Sequence, residues 1–142
     1  MQKYIHYGTD SFEKEAFDPV TNMYLRNKPD GGLWASRIDS RYGWKEWCED
    51  NEFHLDWLEH SFTFTLKDNA NVIQIETPVD IVCKLPLCEG SEIRFSKNID
   101  FEDCIKRGID AIEIIDIDKV YYDLYGWDCD CILILNPDII VV

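Results

Sequence analysis

Residues 28–48 run KPDGGLWASRIDSRYGWKEWC, and the fold turns on how that stretch is divided. Gly31 and Gly32 punctuate the chain, so the following segment, GLWAS, is predicted as a short strand. Gly43 then opens WKEWCED as a short helix, because Trp44, Trp47 and Cys48 fall on one face at i, i+3 and i+4. Two uses compete for this much aromatic surface. Trp44 and Trp47 are assigned to packing behind the strand. Gly32, Trp34 and Ser36 are assigned to a ligand wall: a glycine for close backbone approach, a flat ring for stacking and a short hydroxyl.

Outward from there, KYIHY near the start is predicted as an opening strand ended by Gly8, and residues 10–31 as a helix-poor excursion broken by Pro19, Pro29 and Gly31. FTFTLK and NVIQIET alternate apolar and polar residues, the mark of half-buried strands, and DNAN between them suits a hairpin turn. DFEDCIKRG has an acidic start, helical apolar spacing and Gly108 as its stop signal. AIEII is a strand, DKVYYDLYG a second short helix, and CILILNPDIIVV a buried strand, an Asn-Pro-Asp turn and a last strand taken together as a hairpin. Strands in both halves with short helices between them predict one α+β domain over 1–142, built on a split, bent, antiparallel-rich sheet.

With 46% hydrophobic and 13% aromatic residues, the 142-residue chain has the composition of a globular domain able to bury a core. Its net charge is −14, and residues 99–142 hold 11 acidic against 3 basic side chains, a net of −8. That field repels phosphate backbones, so direct nucleic-acid binding is not expected. The first residues, MQKYIHYGTDSF, hold no apolar segment of signal-peptide length, and no run reaches membrane-spanning length, so a cytoplasmic protein without membrane contact is expected. Its six cysteines are then expected as free thiols. Neither Cys129-x-Cys131 nor the Cys83 and Cys88 pair matches a zinc-site spacing, so no metal is expected.

A lone histidine in a strand is usually structural. His6, however, is followed by Gly8 and Thr9, which supply close backbone approach and a hydroxyl. The ordered set of His-x-Gly-Thr at 6–9, Gly-Leu-aromatic-x-Ser at 32–36 and Asn-Pro-Asp-x-Ile at 136–140 resembles the ADP-ribosyltransferase family. It is nearest the diphtheria-toxin-like class with His, Tyr and Glu on three strands. The resemblance covers both ends of the chain and leaves roughly residues 50–100 unmatched. It implies NAD as substrate, cleavage of the nicotinamide–ribose bond (a glycosyltransferase-type reaction) and an acceptor macromolecule of unknown kind. His6 takes the position that bonds a ribose hydroxyl, Gly8 and Thr9 that of its neighbours, Trp34 that of the stacking Tyr, and Ser36 that of the small hydroxyl residue. The acid falls within WDCDC, on Asp130 or Asp128, with Asp130 preferred because it lies nearer the strand that comes after it. Trp for Tyr keeps the stacking face without the phenol, and Asp for Glu is one methylene shorter.

Two readings from other classes stand beside this one. Asp110, Glu113 and Lys119 follow the Asp, Glu, Lys order of a metal-dependent nuclease strand, but the lysine lies too far from the glutamate to share its strand face. The other is a non-enzymatic acidic interaction protein, a nucleic-acid mimic or an inhibitor of a basic partner, using its C-terminal third.

Overall fold

The opening strand and the GLWAS strand pair as expected. β1 (Tyr4–Tyr7) lies antiparallel to β2 (Leu33–Arg37), with Tyr4 opposite Arg37 and Ile5 opposite Ser36. The structure is a computed structural model and describes residues 1–23, 27–89, 98–124 and 126–142. The remaining strands are β3 (Ser61–Leu66), β4 (Val72–Ile75), β5 (Ala111–Ile114), β6 (Ile132–Ile134) and β7 (Ile140–Val141). They form one sheet in the order β4-β5-β6-β2-β1-β3-β7. Only β4 and β5 run parallel; the other pairings are antiparallel, as the sequence led us to expect.

Strand pairing departs from the sequence reading in two places. FTFTLK and NVIQIET are strands, but not a hairpin: β3 pairs with β1 and β7, whereas β4 pairs with β5 at the other end of the sheet. Likewise β6 and β7 flank the Asn-Pro-Asp turn without pairing with each other. The first departure explains the shape. β3 and β4 are five strand spacings apart, about 24 Å in a flat sheet. The connection from Leu66 to Val72 reaches at most about 21 Å when fully extended, and it contains a turn, with the Ala70 amide on the Lys67 carbonyl at 3.0 Å. The sheet therefore curls until its ends approach. The result is an α+β domain with an inner and an outer apolar layer.

The inner layer holds Tyr4, Ala35, Phe62, Phe64, Ile132 and Ile134 from the concave face. The outer layer sets Ile75, Ile112, Ile114 and Leu133 against α2 (Pro78–Lys84), α3 (Phe101–Lys106) and the residues around Trp127. α3 is the helix expected from DFEDCIKRG. Its Asp100 caps the Asp103 amide at 3.0 Å, and Gly108 (φ +80°) ends it. α1 (Trp44–Asn51) also falls where expected, and α4 shrinks to Ile117–Val120. All six cysteines are free thiols. No helix among the described residues is long and apolar enough to cross a membrane.

Candidate functional site

The ladder between β1 and β2 stops at Ile5 and Ser36, and an aromatic cleft opens beyond it. Its volume is about 190 Å³, and Tyr7, Trp34, Trp44, Trp57 and Trp127 dominate its walls. The Trp127 indole meets Trp34 edge-on with centroids 4.7 Å apart, and its Nε1 donates to the Asn27 carbonyl at 2.6 Å, so the ring cannot turn. Trp44 stacks on Trp47 at 5.0 Å and contributes its own edge to the cleft. Lys28 lies at the rim with Nζ 5.7 Å from the Trp34 ring centre, within cation–π range.

His6 and Trp34 both line this cleft, though not side by side. Strand alternation sends His6 to the concave face, where its ring lies 5.3 Å from Phe62, and Trp34 to the convex one. They meet where the β1–β2 ladder stops. His6 Nδ1 bonds the Trp34 carbonyl at 2.6 Å. A carbonyl only accepts, so Nδ1 carries the proton and Nε2 is left as an acceptor. Burial holds the imidazole below its usual pKa of 6.5 against the opposing pull of that bond. The folded state therefore binds fewer protons than the unfolded chain just below pH 6.5, and stability falls as pH drops through that window. His6→Gln will flatten that part of the stability profile in urea titrations at stepped pH. An unchanged slope would assign the pH dependence to other groups.

The preferred carboxylate is not here. Residues 128–131 precede β6 as irregular chain, so strand alternation does not set Asp128 and Asp130 on one face. Asp128 lines the aromatic cleft. Its carboxyl is pushed up by burial and pulled back by Lys28. Asp130 turns away instead: its amide donates to the Tyr42 carbonyl at 2.9 Å, and its Oδ1 accepts from the Ile117 amide at 2.7 Å.

The other expected ligand groups are structural. Ser36 is buried, donating to the Asp130 carbonyl at 2.9 Å and accepting from the Trp44 amide at 3.1 Å, which fastens α1 to the chain before β6. Gly32 is needed for close packing: a Cβ there would sit 2.7 Å from Leu133 Cδ1 and 2.9 Å from Val20 Cγ2. Gly8 (φ +117°) turns the chain out of β1, its amide on the His60 carbonyl, and the Thr9 hydroxyl reaches Ser11 at the surface. Neither lines the cleft. Glu113, placed with Asp110 and Lys119 in the nuclease order, is buried in a bidentate pair with Arg37 at 2.8 and 3.0 Å.

No family model, curated protein or solved structure matches the chain. The cleft stands on its own chemistry: four indoles and a phenol ring, one acceptor nitrogen, one carboxylate and one rim cation. Sequence reasoning missed Trp57 and Lys28 and left Trp44 in the packing. No periodicity marks Trp57, which a 3-10 turn at Leu55–Glu59 delivers to the cleft mouth 42% exposed.

Proposed function

We propose that the aromatic cleft binds the nicotinamide end of NAD and that the protein cleaves the nicotinamide–ribose bond, with Asp128 rather than Asp130 as the acid. The observation that carries this reading is the fixed His6 imidazole, its Nδ1 committed to Trp34, at an aromatic cleft that also holds Asp128. A volume near 190 Å³ takes one ring-sized group, below the roughly 300–1,000 Å³ of pockets that enclose a whole ligand. The rest of the dinucleotide would then lie outside, with its diphosphate toward Lys28.

Each group has a defined task. The indoles stack on the pyridinium, whose positive charge they favour. His6 Nε2 accepts from a ribose hydroxyl. The C–N bond breaks with its electron pair leaving on nicotinamide, and the Asp128 carboxylate stabilises the oxocarbenium ion that remains. An acceptor nucleophile then bonds to that carbon and gives up its proton.

Millimolar NAD should raise the melting temperature, because a ligand that binds only the folded state stabilises it by mass action. Nicotinamide release, followed by chromatography, should fall about 10²–10³-fold in Asp128→Asn. Asp130→Asn should retain cleavage when assayed at a temperature where it remains folded. A parent protein that neither gains stability from NAD nor releases nicotinamide would remove the proposal.

A further inference from the structure

The aromatic cleft selects a class of ligand by its wall chemistry alone, whether or not it cleaves NAD. Its walls are π-surface: Tyr7, Trp34, Trp44, Trp57 and Trp127 border a space of about 190 Å³. An aromatic ring carries a negative face that attracts positive groups, and indole does so most strongly. The chain itself sets a cation on one of these rings. Lys28 Nζ stands 5.7 Å from the centre of Trp34, and both residues line the cleft. That indole face is therefore open to a positive group from the cleft side.

Asp128 adds the counter-charge. Its carboxylate lines the same cleft half-buried, and it makes no hydrogen bond or ion pair among the described residues. The Lys28 charge acts on it only from beyond ion-pair range, because that side chain is exposed at the rim. A carboxylate withdrawn from water without a donor is stabilised when a positive charge moves in beside it. Rings that attract cations and an unanswered carboxylate thus point into one space.

The kind of cation follows from what the walls lack. No group of three or more His, Cys, Asp or Glu among the described residues is placed to hold a metal ion, so the cation is organic. A primary ammonium or a guanidinium brings N–H donors that each need an acceptor, and a primary ammonium is also strongly hydrated. Rings cannot replace that water. A fully methylated nitrogen has no N–H to satisfy, and its charge spreads over methyl groups that pack against indole. We propose that the cleft is an aromatic cage for a trimethylammonium group, carried by a small molecule of the choline type or by a trimethylated lysine side chain, with Asp128 as its counter-charge. The chain's net charge of −14 favours the approach of such a ligand. It would compete with the nicotinamide end of NAD for the same rings, but its binding requires neither NAD nor catalysis.

Calorimetric titration at neutral pH and low salt tests this without NAD present, with choline in one arm and Nα-acetyl-Nε-trimethyl-lysine methylamide in the other. At least one should bind saturably at a single site, and the arm that does so identifies the source. Exchanging its trimethylammonium group for tert-butyl keeps the shape and removes the charge, and affinity should fall about tenfold or more. Trp57→Ala, on an exposed turn, should weaken binding about fivefold, with Trp57→Phe between it and the parent. Asp128→Asn should weaken it about threefold or more, and Lys28→Gln should tighten it about twofold by removing a like charge. Failure of both cations to saturate, parental affinity for the tert-butyl analogue, or parental affinity in Trp57→Ala would each overturn the proposal. So would weaker binding in Lys28→Gln, the sign expected of an anion site at the rim. Stabilisation by NAD and release of nicotinamide bear on the NAD reading alone, so the two readings stand or fall separately.

Discussion

Arg37→Met will cost the fold about 3–5 kcal/mol, because it strands Glu113 as an unpaired charge inside the sheet. The Glu113 side chain is 3% exposed and its partner 34%, so the arginine carries the pair to the surface while the carboxylate stays behind. Tyr4 joins them from β1, its phenol pushed well up by burial and then by the Glu113 charge. Pulling out the guanidinium leaves the Gln74 amide, at 3.1 Å, to answer the carboxylate. The double variant Arg37→Met with Glu113→Leu should recover most of the loss, since replacing both members of a buried ion pair by apolar groups is often neutral. Urea denaturation of the parent, both single variants and the double variant closes the cycle. A loss under about 1 kcal/mol for Arg37→Met would mean that solvent reaches Glu113 after all.

Trp127→Ala should cost a comparable 3–5 kcal/mol or so, through a different mechanism. Its indole is 1% exposed, edge-on to Trp34 and parallel to Phe101 with centroids 6.5 Å apart, so truncation opens a void between the outer core and the cleft. The Asn27 carbonyl loses its donor at the same time. Trp127→Phe is the milder change: it keeps a six-membered ring while removing the N–H and the fused five-membered ring, for an expected loss of about 1–3 kcal/mol. The alanine variant should also lose any cleft ligand, because Trp34 is then free to fall into the void. Stability near the parental value in Trp127→Ala would show that the cleft wall is not part of the folding core.

Local structure was legible in the residues; long-range pairing was not. β2, α1 and α3 lie where glycine punctuation, apolar spacing and an acidic cap placed them. α2 had a signal that went unused: Thr77-Pro78-x-Asp80, with Asp80 accepting from the Glu76 and Thr77 amides at 2.8 and 3.1 Å. DNAN does make a turn, but turn chemistry does not say which sheet edge each flanking strand will join. β3 and β4 part company for that reason. The cleft shows the same division. His6 and Trp34 were found because each stands beside a glycine in a short strand. Asp130 is preferred by its nearness to the strand that follows, but residues 128–131 are irregular chain, and it is Asp128 that lines the cleft. Trp57 reaches the cleft through two left-handed residues, Glu52 (φ 50°) and His54 (φ 43°), a backbone path that no residue-type pattern announces.

β6 also governs the order in which the sheet can be made. Its residues pair with β2 on one side and β5 on the other, and Leu33 meets Ile134 across about 100 residues of intervening chain. During synthesis β1, β2 and β3 can assemble early, and β4 with β5 later, but the two groups have no shared ladder until residues 132–134 leave the ribosome. A chain stopped just short of that point exposes two unpaired inner edges, each bordered by apolar residues, with nothing to cover either. The most buried strand of the sheet is thus the sixth of its seven to be made, and the ladder that joins the two groups waits for it.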